Sequence, residues 1–239
     1  MLYPAVLLLI LWIIKIIEVA FNTSFAGYGL LPQTLSGLKG IVFSPLLHSD
    51  WKHLSANSVP FFVLFAGLIY YYGRKAAGIL ALCWIVTGLW VWIFARGTGI
   101  HIGASGVVYA LATFHFTSGL LKREPRHMAF ALLVVFLYGG LVWGIIPDFY
   151  PEKNISWESH LLGGVAGILI AFAYRADGPQ RKVYNWDEDE DNEQEFYPDD
   201  PFETLPAPEA KPEAPASDEK SVKLNYVYKP GNTEGTKTA

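Results

Sequence analysis

Two short stretches of this 239-residue sequence place a potentially reactive side chain among glycines. Residues 101–109, HIGASGVVY, begin an apolar run that continues to Leu121, and residues 159–167, SHLLGGVAG, begin another. A serine hydroxyl becomes a nucleophile when a base lies within hydrogen-bond distance of it. Ser105 is therefore either a small residue that eases helix packing or a nucleophile that His160 activates. The choice depends on whether the two helices that carry them touch.

The sequence divides into two parts of unlike composition. Residues 1–176 contain 11 Lys and Arg against 6 Asp and Glu, and nearly all of these charges fall between long apolar runs. This pattern is typical of a polytopic membrane domain. Residues 177–239 contain 7 Lys and Arg against 16 Asp and Glu, with eight prolines and few large aliphatic side chains. Such a segment buries too little surface to offset the entropy of ordering, which predicts a disordered acidic tail.

The apolar runs predict an all-α membrane domain, a bundle of six transmembrane helices. The predicted helices cover residues 2–21, 53–72, 76–95, 105–121, 128–147 and 157–174. The first run lacks the basic start and small-residue cleavage site of a signal peptide, so we expect a retained transmembrane helix. Lys15 and Glu18 lie near its end and share a helix face, where they can pair or snorkel. Cys83, the single cysteine, is expected to be a small buried hydrophobe.

The distribution of basic residues favours one orientation in the membrane. Eight follow the second, fourth and sixth predicted helices: Arg74, Lys75, Lys122, Arg123, Arg126, Arg175, Arg181 and Lys182. The opposite side holds four: Lys39, Lys52, Arg96 and Lys153. Both termini and the acidic tail are therefore expected to be cytoplasmic, and the second, fourth and sixth helices are expected to begin at the outer side.

These three helix starts carry the strongly polar side chains of the membrane domain. His53 and Asn57 begin the second helix, Ser105 and Tyr109 the fourth, and His160 the sixth. Each lies within about two turns of its helix start, or ~10 Å of depth. Polar groups at membrane depth normally face the bundle interior or a water-filled cavity. Their common depth predicts a functional site near the outer face.

The glycine spacing predicts which helices touch. Gly163 and Gly167 are four residues apart on the face that also carries His160, and such small-residue faces let helices approach closely in lipid. Contact between the sixth and fourth helices would bring His160 towards Ser105, which lies beside Gly103. The sequence thus predicts a serine–histidine dyad.

The remaining polar groups suit the supporting roles of acyl transfer. Tyr109 lies one turn below Ser105, where its ring could hold the imidazole in place. His53 and Asn57 share one face of the second helix and can both donate hydrogen bonds to a developing oxyanion. The backbone N–H of Ser105 is a third donor, because the first amides of a helix have no intrahelical partner.

Three motifs, which lie at the starts of the second, fourth and sixth predicted helices, together resemble the rhomboid family of intramembrane serine proteases. They are the residues GASG with Tyr109 at 103–109, HLLGGVAG at 160–167, and HSDWKHLSAN at 48–57. The resemblance covers about residues 3–176. It implies hydrolysis of a peptide bond in a transmembrane substrate near the outer face, with no cofactor.

The resemblance also implies roles for single residues. Ser105 is the implied nucleophile and His160 the general base and then acid, while His53 and Asn57 are the implied oxyanion donors. The sequence departs from many members at Leu38-Lys39, where they carry Trp-Arg, which leaves the architecture of the 22–51 loop open. It also has Ser159 where many have alanine.

Other interpretations remain open for several residues. His48 could line the site or have a structural role in the loop. His101 is expected in a loop near the mouth of the site, and His115 and His127 are expected to be structural or at the cytoplasmic interface. Trp84, Trp90 and Trp92 suit lipid-facing or interfacial positions. A metal site formed by His53, His101 and His160 lacks a carboxylate or thiol at ligand spacing, so none is expected.

The alternative function is a rhomboid-like protein without activity that binds transmembrane clients. A small transporter is less favoured, because the sequence has no paired inverted repeats. The expected partners are transmembrane substrates and the lipid bilayer, with no nucleic acid and no metal. The expected location is the plasma membrane of a bacterium.

Overall fold

The computed structural model describes residues 2–96, 99–137 and 156–178, and helices dominate all three ranges. Within them there is no β-strand, and a single isolated bridge joins Leu30 to His101. The helices are α1 Leu2–Ala20, α2 Gly40–Phe43, α3 Trp51–Tyr72, α4 Ala76–Phe94, α5 Ser105–Lys122, α6 Pro125–Leu137 and α7 Trp157–Ala173. The rest of the fifth predicted helix, at 138–147, and the acidic tail from 179 onward lie outside the described residues.

Local hydrogen bonds and packing set the helix starts. Helix α3 begins at Trp51, two residues before the predicted start, because the Asp50 side chain accepts a hydrogen bond from the backbone N–H of His53 and caps the helix. Helix α6 begins at Pro125 rather than near 128, and proline is well suited to a first helical position since its missing N–H needs no partner there.

Apolar length singles out two segments of the described chain. Leu2–Ala20 and Trp51–Phe94, which contains α3 and α4, are long and apolar enough to cross a membrane by length and composition. Leu35–Leu46, Pro125–Phe136 and Trp157–Ala173 are shorter apolar helical segments.

Helix α1 has the reverse of the usual amphipathic pattern. Leu9, Ile13 and Ile16 are exposed, whereas Lys15 and Glu18 are buried against the rest of the protein. A soluble helix would bury the aliphatic side chains and expose the charges. The pattern is the one expected of a helix whose outer face meets lipid and whose inner face carries paired charges.

Helix α5 is the most enclosed helix of the described domain. All seven residues from 106 to 112 are buried, so every side of the helix is covered there, and α5 packs against α3, α4, α6 and α7. A helix that is enclosed by four other helices lies in the interior of the bundle. Helix α5 therefore fixes the position of any side chain at its start.

Glycines bring α7 unusually close to α5. A Cβ atom on Gly163 would lie 2.2 Å from the carbonyl oxygen of Gly106, and one on Gly167 would lie 2.0 Å from that of Ala110. Only glycine fits at such distances, as in other close helix contacts in lipid. Thr113 adds a hydrogen bond across the interface, from its Oγ1 to the Gly164 carbonyl at 2.8 Å.

The segment between α1 and α3 packs on α4. The indole N–H of Trp84 donates to the Val42 carbonyl at 3.1 Å, and that of Trp92 donates to the Thr34 carbonyl at 2.8 Å. The sequence alone favours lipid-facing or interfacial positions for these tryptophans. Both rings are half-buried and anchor the loop, whose main-chain carbonyls need donors.

Candidate active site

The centre of the site is the contact between Ser105 and His160. Ser105 is the first residue of α5, His160 lies in the first turn of α7, and the Oγ and Nε2 atoms are 2.8 Å apart. This is the length of a good hydrogen bond to a hydroxyl. The imidazole is buried while the serine is half-buried. The glycine contacts between α5 and α7 lie directly beneath this pair and account for its closeness.

Tyr109 supports the imidazole from one side. Its ring stacks on that of His160 with centroids 4.3 Å apart and planes at 17°. Tyr109 is one turn below Ser105 on α5, so the same helix positions both the hydroxyl and the ring that limits rotation of the histidine.

Ser159 and Thr87 enclose the back of the dyad. A Cβ atom on Gly106 would lie 2.5 Å from Ser159 Oγ and 3.0 Å from Thr87 Cγ2. Because glycine has no Cβ atom, Gly106 leaves room for the hydroxyl of Ser159.

The loop before α5 places Gly103 against His53 and Asn57 of α3. A Cβ atom on Gly103 would lie 2.7 Å from His53 Nε2 and 3.8 Å from Asn57 Nδ2. The φ angle of +113° at Gly103 is one that other residues rarely adopt. Both the space and the backbone therefore require glycine here.

Two hydrogen-bond donors at this place have no acceptor within the described residues. Asn57 Nδ2 is buried without a partner, although buried amides are normally paired. The backbone N–H of Ser105 opens a helix and has no intrahelical acceptor. His53 and Asn57 both approach Gly103, which lies two residues before Ser105 in the chain.

His48 lies under the loop that leads to Ser105. Its Nε2 accepts a hydrogen bond from the Ala104 backbone N–H at 3.4 Å, and its ring meets that of His53 edge to face at 5.0 Å. Burial, reinforced by the neighbouring His53, lowers the pKa of His48 to about 3, so the ring is neutral and can accept. His48 therefore contacts the site's backbone.

The turn that carries His48 is fixed by short-range hydrogen bonds. Ser49 Oγ lies 2.7 Å from Asp50 Oδ2 and 3.2 Å from His53 Nδ1. The hydrogen bonds from Ser49 and from the His53 backbone lower the pKa of Asp50, which keeps its carboxylate charged as a helix cap. The orientation of the His53 ring is thus coupled to the 48–50 turn.

A further contact joins the two segments that lead into the dyad. His101 Nδ1 lies 2.5 Å from Ser156 Oγ, and each residue precedes its dyad partner by four positions. Burial lowers the pKa of His101, although Glu158 opposes this.

No group of three His, Cys, Asp or Glu within the described ranges is arranged to hold a metal ion.

The sequence-predicted site residues fall into one connected group. Ser105 and Tyr109 each contact His160, Gly163 and Gly167 form the interface between α5 and α7, and Gly103 adjoins His53 and Asn57. Sequence reasoning did not assign a partner to His48 or His101. The available signal was their position in the sequence, since His48 lies five residues before His53 and His101 lies four residues before Ser105. A nucleophile, a base and oriented donors are the parts that acyl transfer requires.

Comparison with known proteins gives consistent matches over this region. A family model described as "Rhomboid domain" matches residues 36–177, which include the dyad and the donors on α3. An uncharacterised protein of Mycobacterium tuberculosis (strain ATCC 25618 / H37Rv) is 33% identical over 184 residues, covering 73% of this chain and 74% of that protein. An uncharacterised protein of Mycobacterium bovis matches equally well, and one of Mycobacterium leprae is 30% identical over 73% of this chain and 70% of its own length.

Proposed function

Because the chain belongs to the rhomboid family, we propose that it is an intramembrane serine endopeptidase that cleaves transmembrane helices of membrane-protein substrates. The observation that carries this proposal is the 2.8 Å contact between Ser105 Oγ and His160 Nε2, with the Tyr109 ring stacked on the imidazole. A serine within hydrogen-bond distance of an oriented imidazole can be deprotonated as it attacks.

In the proposed reaction, Ser105 Oγ attacks the carbonyl carbon of the scissile peptide bond while His160 Nε2 takes its proton. The oxyanion that forms accepts hydrogen bonds from the Ser105 N–H, Asn57 Nδ2 and His53. The imidazolium then gives its proton to the leaving amine, which releases one product and leaves an acyl-enzyme. His160 next activates a water molecule that hydrolyses the ester and restores Ser105.

The rhomboid family is membrane-embedded, and the apolar helices of this chain suit that setting. We propose that the domain crosses the membrane six times with both termini cytoplasmic, as the basic residues favour. The dyad then lies towards the outer face of a bacterial plasma membrane, and residues 177–239 form a disordered acidic tail on the cytoplasmic side. Substrates enter as transmembrane helices from the bilayer.

Labelling of the purified protein with a fluorophosphonate tests the proposal most directly. We expect covalent labelling of the wild type at Ser105, and none of the Ser105→Ala variant at equal expression. We also expect the wild type, and not this variant, to cleave a model transmembrane substrate. A folded wild type that binds this substrate but is neither labelled nor able to cut it would favour the client-binding function instead.

A further inference from the structure

A buried ion pair in α1 lies next to the turn that enters α3. Lys15 is 9% exposed and Glu18 6% exposed, and Lys15 Nζ lies 3.1 Å from Glu18 Oε2. The pair does not snorkel towards the membrane surface, since both side chains point into the protein. Both residues precede the 36–177 region that the family model covers.

The ammonium group of Lys15 has three acceptors. Besides Glu18, it donates to the backbone carbonyls of His48 at 3.1 Å and Ser49 at 2.9 Å. A lysine ammonium has three N–H donors, so all three are used. Glu18 is held as well, because its Oε1 accepts the Phe25 N–H at 2.7 Å.

Burial of two charges is costly, and it is offset only when the hydrogen bonds around them are complete. Apolar side chains in the same places would pack α1 at least as well. What such side chains could not do is hold two main-chain carbonyls of a loop in a fixed position.

The two carbonyls belong to His48 and Ser49, whose side chains contact groups of the candidate site. The His48 imidazole accepts the N–H of Ala104, the residue before the serine nucleophile. The Ser49 hydroxyl contacts Nδ1 of His53, whose other ring nitrogen faces Gly103. One residue, His48, therefore connects Lys15 to the loop that carries the Ser105 N–H. Another, Ser49, connects Lys15 to the ring of His53.

From this path we infer that Lys15 and Glu18 are positioning residues for the oxyanion-binding groups, an inference that rests on the proposed function. Neither touches the substrate. Lys15 fixes the backbone of the 48–49 turn, and Glu18 fixes Lys15. Without this anchor the His48 and His53 rings move relative to Ser105, and displacements of about 1 Å at a reacting centre can reduce rates by about 100-fold.

The test compares Lys15→Met with the wild type in two reactions of the intact protein in detergent. We expect kcat for a model transmembrane substrate to fall by about 10- to 100-fold with little change in KM. The second-order rate constant for labelling of Ser105 by a fluorophosphonate should fall by a similar factor. Lys15→Arg, which keeps the charge and the donors, should recover most of both rates.

A second variant separates positioning from loss of folding. Lys15→Met/Glu18→Met removes both charges, so that no unpaired charge is buried and the protein should fold. It still lacks the donor to the 48–49 turn, and we expect the same slow labelling per folded molecule. A folded double variant that is labelled at the wild-type rate would overturn the inference. As a control, Lys75→Met breaks the ion pair with Asp177 elsewhere in the domain and should leave the labelling rate unchanged.

Amide hydrogen exchange distinguishes this inference from the proposed function itself. If the wild type neither cleaves nor labels, the proposed protease activity fails whatever the role of Lys15. Exchange over residues 46–54 and 100–105 would still report the anchor. Faster exchange in both segments of the double variant supports positioning, and exchange equal to that of the wild type contradicts it.

Discussion

Two polar clusters lie along α5, one at its start and one towards its end, and both place a histidine within hydrogen-bond distance of another polar side chain. At the start, which we call the dyad end, His160 Nε2 lies 2.8 Å from Ser105 Oγ. Towards the other end, which we call the histidine-pair end, His115 Nδ1 lies 2.7 Å from His127 Nε2. The two contacts are alike in length and join α5 to a different helix in each case.

At the histidine-pair end the hydrogen bonds define the tautomers. His115 Nε2 must donate to the Leu64 carbonyl, 3.0 Å away, so its Nδ1 accepts from the Nε2–H of His127. Both rings are 0% exposed, and Tyr71 stacks on His127 with centroids 4.0 Å apart. The pair links α3, α5 and α6 and offers no nucleophile, so it suits helix packing.

The dyad end differs because it has a partly accessible hydroxyl and a hydrogen-bond donor without an acceptor. There the base reaches a hydroxyl that is half-buried, and the donor Asn57 Nδ2 is buried with no acceptor among the described residues. Within the histidine pair the unmatched ring atom is an acceptor, His127 Nδ1, enclosed by aromatic rings. We propose that polar side chains in the membrane domain serve packing at one end and chemistry at the other, and that a half-buried hydroxyl beside an unmatched donor marks the end that serves chemistry.

Removal of one histidine from each cluster should give the largest contrast. We expect His160→Ala to lower kcat by about 10³- to 10⁶-fold, because the serine loses its base. His127→Ala should leave kcat per folded molecule within about twofold, since packing residues act on stability. Both are measured on a model transmembrane substrate, with the folded fraction determined by thermal unfolding in detergent. An equal loss of kcat in the two variants would remove the distinction between the clusters.

Two neighbouring residues of α3 test the unmatched donor. We expect Asn57→Ala to lower kcat by about 10²- to 10³-fold, as the loss of one oxyanion donor does elsewhere. Ser58 is the control, because its hydroxyl donates to the Leu54 carbonyl at 2.7 Å and accepts from the Trp12 indole at 3.0 Å. Ser58→Ala should cost about 1 kcal/mol of stability and leave kcat unchanged. If Asn57→Ala changed stability alone, the amide would be a packing group.

Adjacent glycines of α7 test whether the close helix contact maintains the dyad. In Gly163→Ala the new methyl group would lie 2.2 Å from the Gly106 carbonyl, so α7 must move away from α5. We expect a cost of about 1–3 kcal/mol and a lower rate of Ser105 labelling. In Gly164→Ala the methyl group meets Thr113 Cγ2 at 3.5 Å, an ordinary contact, and both quantities should stay near those of the wild type. Equal effects in the two variants would mean that the spacing at Gly163 is not what holds the dyad together.

Much of the framework could be predicted from the sequence because its signals are local. The family follows from three motifs, and the match over residues 36–177 confirms it. The helical architecture is confirmed for the described residues, while the count of six membrane crossings stays a prediction. The spacing of Gly163 and Gly167 indicates a close helix contact, since such contacts in lipid depend on small residues at one-turn spacing. The catalytic roles of Ser105 and His160 also stay predictions.

The parts that could not be predicted depend on contacts between distant residues. Nothing in the sequence says that Lys15 reaches the 48–49 carbonyls, because that depends on how α1 lies against a loop 33 residues away. The hydrogen bonds from the indole N–H groups of Trp84 and Trp92 could not be predicted for the same reason. An interfacial tryptophan and one that holds a loop look alike in sequence. His115 and His127 could be interpreted as structural, but their direct contact follows only from the way α6 packs on α5.

The smallest effects should come from the histidine-pair end, where the prediction concerns coupling and not rate. His115→Phe leaves the Leu64 carbonyl and the His127 Nε2–H without their partner, which should cost about 1–3 kcal/mol in thermal unfolding. His115→Phe/His127→Phe removes both hydrogen-bonding rings, so it should be less destabilised than the sum of the two single variants. In all three variants the rate of Ser105 labelling per folded molecule should equal that of the wild type. A slower rate would show that this cluster acts on the dyad through α5, and the two ends of the helix would then have to be treated as one coupled site.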